Sequence, residues 1–134
     1  MSVGGPTPSE SDLALLFPRA AALAFGVFLV VIETWRRSAE LDELAMWPSI
    51  ADDYLAGVGL IAASRVASRS TERGRTWLAA AWGATTLMMT GSVFYQLVAR
   101  TEPDPSGAPV GIVLAVKVAM LTLSGAALVA TLRS

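Results

Sequence analysis

The chain has 134 residues, a size suited to one domain. With 54% hydrophobic and 16% charged residues and a mean hydropathy of +0.56, it is too apolar to face water on every side, since a soluble domain carries about 25% charged residues. Having neither cysteine nor histidine, it is excluded from disulfides, thiolate nucleophiles, iron–sulfur clusters, histidine-bound zinc or haem and serine–histidine–aspartate catalysis, and its net charge of −1 gives no nucleic-acid signal.

Residues 1–10, with Gly4, Gly5, Pro6 and Pro8, read as a disordered tail, leaving 11–134 as a single domain. Ser11 and Asp12 offer a helix cap, and Pro18 stands where a helix starts or kinks. Crossing a hydrocarbon core of ~30 Å takes about 20 mostly apolar residues. The run over 13–33 satisfies this. Its flank carries Glu10 and Asp12 and no base before Arg19, so it reads as a retained helix and not as a signal peptide with a positive start. The segment 38–47 interleaves Glu40, Asp42 and Glu43 with Leu41 and Leu44; it reads as a polar connection anchored by Trp47, with a short interfacial helix as the alternative.

The second span, 49–67, is cleanly apolar only over 54–63. A short loop around 68–74 follows, in a neighbourhood holding Arg65, Arg69, Arg73 and Arg75 against the single Glu72. The third span, 76–99, and the fourth, 109–132, are continuous apolar runs joined by a tight turn at 101–107 that contains Pro103 and Pro105. Continuous runs, in place of alternating ones, point to helices and away from a barrel. The fold expected is therefore an all-α integral membrane protein, a four-helix transmembrane bundle whose sequential helices are antiparallel neighbours.

Basic residues set the orientation. With the N-terminus inside, Arg19, Arg65, Arg69, Arg73, Arg75 and Arg133 lie on the cytoplasmic side, and only Arg36, Arg37 and Arg100 lie outside. Both termini are expected in the cytoplasm, in a bacterial-type inner membrane. Trp35, Trp47, Phe94 and Tyr95 mark one interface and Trp77 the other, with Trp82 deeper, against helices or lipid.

Small residues at helical spacing let membrane helices approach closely. The first helix offers Ala22, Gly26, Leu29 and Glu33 on one stripe. The second offers Asp52, Ala56, Gly59 and Ala63, beside Asp53, Gly57, Leu60 and Ser64. The third has Ala79 and Gly83, and a polar stripe of Thr85, Met89, Ser92 and Gln96. The fourth has Val110, Val113, Lys117, Leu121 and Ser124 on one face and Ala126 and Ala130 on another.

Lys117 lies eight positions into its span, about 12 Å at 1.5 Å per residue, where an unpaired charge costs on the order of 3 kcal/mol on insertion scales. The topology brings Asp52, Asp53 and Glu33 into the same outer half, with Tyr95 and Gln96 at a similar level. Two readings follow: a hydrated pocket with Lys117 opposed to Asp52 or Asp53, open to a ligand or ion, or a single Lys117–Asp53 pair that pins two helices together. Glu33 also has Arg36 and Arg37 at i+3 and i+4 for local pairing. Met88 and Met89 read as packing, not as a copper site, and neither metal nor cofactor is expected.

The outline is similar to that of the small multidrug-resistance transporters and the small fluoride channels, also four-helix chains. Glu33, however, ends its helix where the former have a mid-helix glutamate, and the glycine- and asparagine-rich pattern of the latter is not matched, so no family is assigned. Three classes of function follow. The first is a non-enzymatic accessory or structural subunit of a larger membrane complex. The second is a small homo-oligomeric transporter or channel using Lys117, Asp52 and Asp53. The third is a lipid-acting enzyme with the carboxylates as acid and base, which no motif supports. The expected partners are the lipid bilayer and either another membrane protein or further copies of the chain.

Overall fold

A computed structural model describes residues 9–38, 47–98, 103–104 and 106–134, and among these every regular element is a helix. The elements are α1 (Glu10–Ala14), α2 (Leu16–Arg36), α3 (Trp47–Ala67), α4 (Thr71–Val98) and α5 (Val110–Arg133). Of the expected tail over 1–10, residues 1–8 lie outside the described residues, as do the connection over 39–46, the Trp47 side chain and Arg100; Ser9 and Glu10 are not tail, and the cap falls on Ser9 and not on the expected Ser11.

The first two helices are nearly one. Ser9 caps α1 through a reciprocal box in which Asp12 N–H donates to Ser9 Oγ at 3.2 Å and Ser9 N–H donates to Asp12 Oδ2 at 3.1 Å. The ladder breaks at Leu15 because Pro18 has no N–H to offer the Ala14 carbonyl. It resumes when Arg19 N–H reaches Leu15 O at 3.0 Å.

The four long helices pack in chain order, α2 on α3, α3 on α4 and α4 on α5, while α2 touches α5 only lightly. Contacts fix the antiparallel senses. Ser64 Oγ donates to Arg19 O at 3.0 Å near one end of the α2–α3 pair, and Thr34 and Tyr54 hydroxyls meet near the other. Arg75 Nη1 donates to Ser134 O at 2.7 Å and Lys117 Nζ to Gln96 Oε1 at 2.9 Å along the α4–α5 pair.

The stripe expected on α2 is the buried one: Ala22, Gly26, Leu29 and Glu33 all face inward. Glycine permits the closest crossing. A Cβ on Gly26 would stand 2.6 Å from Gly57 O, and one on Gly57 would stand 2.9 Å from Gly26 O, so the backbones touch where both side chains are missing. On α3, Gly57, Leu60, Ala63 and Ser64 are buried, but Gly59 is not at a contact, since nothing lies within 4 Å of its Cβ position. Gly83 is likewise open, so the expected Ala79–Gly83 contact does not form.

The loop expected over 68–74 is shorter than its arginines suggest. α4 begins at Thr71, five residues before the expected 76, so Arg73 and Arg75 are helical and only residues 68–70 connect the two helices. Gly74 makes this tight return possible, because any Cβ there would lie 2.2 Å from the Ala67 Cα. The glycine reads as a loop residue in sequence, but its role is helix packing.

Trp82 on α4 is fully buried. Its indole N–H donates to Pro18 O at 3.2 Å, and its ring meets Phe25 edge-on with centroids 5.6 Å apart. Trp82→Phe should lower the unfolding midpoint by several degrees, because a lost buried hydrogen bond costs about 1–3 kcal/mol. Trp77→Phe, at a 53% exposed position, should leave it in place. Differential scanning fluorimetry in detergent checks both, and equal midpoints for the two variants would contradict the packing.

The interior is small and partly polar, with Ser64, Thr85, Gln96, Ser124 and Thr131 buried among Leu60, Leu78 and Ala127. The outside is apolar: Leu55, Leu87 and Val98 are 71, 75 and 85% exposed. By length and composition, two helical stretches suffice to cross a membrane, Glu10–Arg36 and Val110–Arg133. The other two long helices fall outside that criterion; α3 carries Asp52 and Asp53 towards one end and Arg65 towards the other, and α4 is diluted by Thr, Ser, Gly and Gln.

Candidate functional site

At the end of the bundle where α2 finishes and α5 begins, residues of the four long helices line a half-open chamber of about 740 Å³. All six residues singled out in the sequence line it: Glu33 from α2, Asp52 and Asp53 from α3, Tyr95 and Gln96 from α4, and Lys117 from α5. The helix phase explains this. Glu33 closes the buried α2 stripe, Gln96 closes the α4 stripe that runs through Thr85, Met89 and Ser92, and Lys117 sits one turn from Val113 and from Leu121 on α5. The floor is apolar, made by Leu29, Met88, Met89 and Met120.

The charges do not pair as the sequence suggested. Lys117 was expected opposite Asp52 or Asp53; its ammonium instead donates to the neutral amide oxygen of Gln96 at 2.9 Å, and no Lys117–Asp ion pair forms among the described residues. The local pairing of Glu33 is present. Its carboxylate, with only 3% of the side chain exposed, takes Arg36 Nη1 at 3.0 Å and also pairs with Arg37. α5 packs along α4, and α3 lies across the bundle from it, so Gln96 is the nearer partner and the aspartates are not.

Sequence reasoning missed Arg36 and Asp104 as a pair. Arg36 Nη2 donates to both carboxylate oxygens of Asp104 at 3.3 and 3.2 Å, so one guanidinium joins the end of α2 to the segment between α4 and α5. Asp104 is itself held by the Ser106 N–H at 2.9 Å and the Ser106 hydroxyl. The segment then turns through Gly107, whose φ of +73° suits glycine and whose N–H donates to Asp104 O at 2.9 Å. Burial pushes the Asp104 carboxyl up, but the Ser106 and Arg36 donors outweigh it and hold the group below the usual carboxylate range. The only sequence cue was a short acidic turn between prolines, Pro103 and Pro105.

The chain matches no family model, no curated protein and no solved structure. The chamber must therefore be read from its chemistry. It presents four carboxylates (Glu33, Asp52, Asp53, Asp104) and three cationic side chains (Arg36, Arg37, Lys117), a net of −1. Among the described residues, no three His, Cys, Asp or Glu side chains gather in a way that would hold a metal ion. A mixed-charge wall over a methionine-rich floor suits an organic molecule with a polar end, and the volume falls in the range of about 300–1,000 Å³ common for small-molecule sites.

Proposed function

We propose that the chain is a four-span, non-enzymatic membrane bundle with both termini in the cytoplasm, and that it works as a small homo-oligomeric transporter whose chamber opens outward. The observation that carries this reading is the chamber itself: charged groups from α2, α3 and α5 and the buried amide of Gln96 from α4 meet in one cavity, where a charge held out of water costs energy. The exposed apolar surface of all four long helices supports the membrane setting, and the arginines at 65, 69, 73 and 75 support the orientation. The net acidity of the lining and the uncharged partner of Lys117 support ligand binding over a purely structural ion pair.

The absence of native cysteine makes the test direct. A Ser92→Cys variant places one thiol in the chamber wall. In intact cells, a membrane-impermeant maleimide should label it from outside, and Ser68→Cys at the opposite end should label only after lysis. Labelling of Ser92→Cys only after lysis, or not at all, overturns the reading.

A second reading, an accessory subunit, is favoured by one feature of α5. Gly111, Ala115, Ala119, Thr122 and Ala126 form an exposed row of small residues, and nothing lies within 4 Å of a Cβ on Gly111. Such a row suits the close approach of a further helix. Native mass determination in mild detergent separates the readings: a homo-oligomer favours transport, and a stoichiometric foreign partner favours the subunit.

A further inference from the structure

Resting on the reading of the chamber as a ligand site, we infer that its occupant is a zwitterionic amphiphile that enters from the bilayer through the seam between α2 and α5. The charges carry the first half of this. Glu33, Arg36, Arg37 and Asp104 answer one another across two acids and two bases. What remains, among the described residues, is charge of both signs held in no ion pair, with Asp52 at the exposed rim. Lys117 has only the Gln96 amide, and Asp52 and Asp53 make neither a hydrogen bond nor an ion pair among the described residues. A simple cation would pair with the aspartates and leave Lys117 without a direct ion-pair partner; a simple anion would do the reverse. One headgroup bearing an ammonium and an anionic ester satisfies both sets, the ammonium at Asp52 and Asp53 and the anion at Lys117.

The walls carry the second half. Where α2 meets α5 only lightly, the lining residues Phe28 and Trp35 on one side and Ile112 and Val116 on the other are 44, 68, 59 and 46% exposed. They bound the chamber and also face outward, so the cavity opens sideways through an apolar slit beside its charged end. A water-soluble ligand has no use for such a slit. An acyl chain fills it while the head stays among the charges, as burial of apolar surface against apolar walls requires.

The experiment is a titration of the full chain, purified in mild detergent, followed by native mass spectrometry. Three lipids with identical acyl chains serve as probes: zwitterionic phosphatidylethanolamine, anionic phosphatidylglycerol and a cationic trimethylammonium-propane lipid. The zwitterionic lipid should occupy one site at least about tenfold more tightly than either of the others. Asp52→Asn with Asp53→Asn should move the preference towards the anionic lipid, and Lys117→Met towards the cationic one. Val116→Trp, which touches no charge, keeps the test available if the charge variants do not fold; it should weaken lipid binding by narrowing the slit. Free phosphoethanolamine, which has the head without the chain, should bind far more weakly than the lipid.

Equal affinity for the three lipids, preference of the unaltered chain for a singly charged lipid, or full-strength binding of free phosphoethanolamine overturns the inference. If Ser92→Cys is labelled from outside and one of these results is found, the ligand-site reading stands and only the ligand class falls. If Ser92→Cys is not labelled from outside, the site reading itself falls and takes this inference with it.

Discussion

Gly26→Leu is expected to lose about 3 kcal/mol of stability, the top of the range for overpacking a filled interface. The cause is a backbone contact, not a flexible side chain. Even the first added carbon would meet Gly57 O at 2.6 Å and Ile61 Cγ1 at 2.9 Å, and a carbonyl held in a helix has nowhere to go. The helices must part, and the neighbouring contacts of Leu29 and Leu60 go with them. Gly57→Leu should do the same from the other side, where Gly26 O stands at 2.9 Å. Gly125→Ala supplies the contrast. Nothing lies within 4 Å of its Cβ position, so the change should be neutral or stabilising, by up to about 1 kcal/mol from helix propensity alone. Unfolding by sodium dodecyl sulfate, followed by circular dichroism, measures all three; a Gly26→Leu variant as resistant as the unaltered chain would show that the α2–α3 crossing is not as described.

Arg36→Ala is the other large effect, about 2 kcal/mol, because it removes a charge-assisted contact from a carboxylate that keeps only its Ser106 donors. Glu33 keeps Arg37, so the loss falls on Asp104, a side chain only 3% exposed. Arg36→Lys should recover only part of it, since a single ammonium nitrogen cannot hold Glu33 and Asp104 together as Nη1 and Nη2 do. The sign with pH follows from the lowered pKa of Asp104. A carboxyl depressed in the folded state contributes stability that is present above its ordinary value of 3.8 and is lost as the pH falls through the lowered one. The unaltered chain should therefore soften in acid. Arg36→Ala, lacking one of the groups that lower this pKa, should show a shallower acid limb from a lower plateau. Chemical unfolding repeated from neutral to acid pH checks both the offset and the slope; parallel curves would remove Arg36 from the account.

Much of this was legible in the residues, for reasons that differ by element. The buried stripe Ala22–Gly26–Leu29–Glu33 could be read because small residues recur at helical spacing on an otherwise bulky helix. The convergence of Glu33, Asp52, Asp53, Gln96 and Lys117 could be read because consecutive antiparallel helices fix depth from sequence position alone. Adjacency is another matter. Lys117 meets Gln96 and not an aspartate because α5 packs on α4 and stands across the bundle from α3, and no local pattern encodes which helices end up diagonal. Arg36 and Asp104 are 68 positions apart, and one of them lies outside any periodic element, so spacing rules have no purchase on the pair. The start of α4 was hidden by its arginines, which read as loop; the more telling residue was Gly74, placed where α3 and α4 come closest.

The uneven closure of the bundle governs how it can form and deform. Each extensive interface joins helices consecutive in the chain, so each can set as soon as its second member is made, with little loop entropy to overcome. The seam between first and last long helices has to wait for the whole chain. It also has the least packing to hold it shut, since few residues of α2 and α5 meet, while α3 and α4 pack extensively on both of their chain neighbours. At the far end Trp82 pins α2 to α4 through Pro18 and Phe25, and Arg75 ties α4 to the tip of α5. Any opening is thereby confined to one end, in the manner of a clothes-peg, and the Arg36–Asp104 contact is the clasp across its jaws.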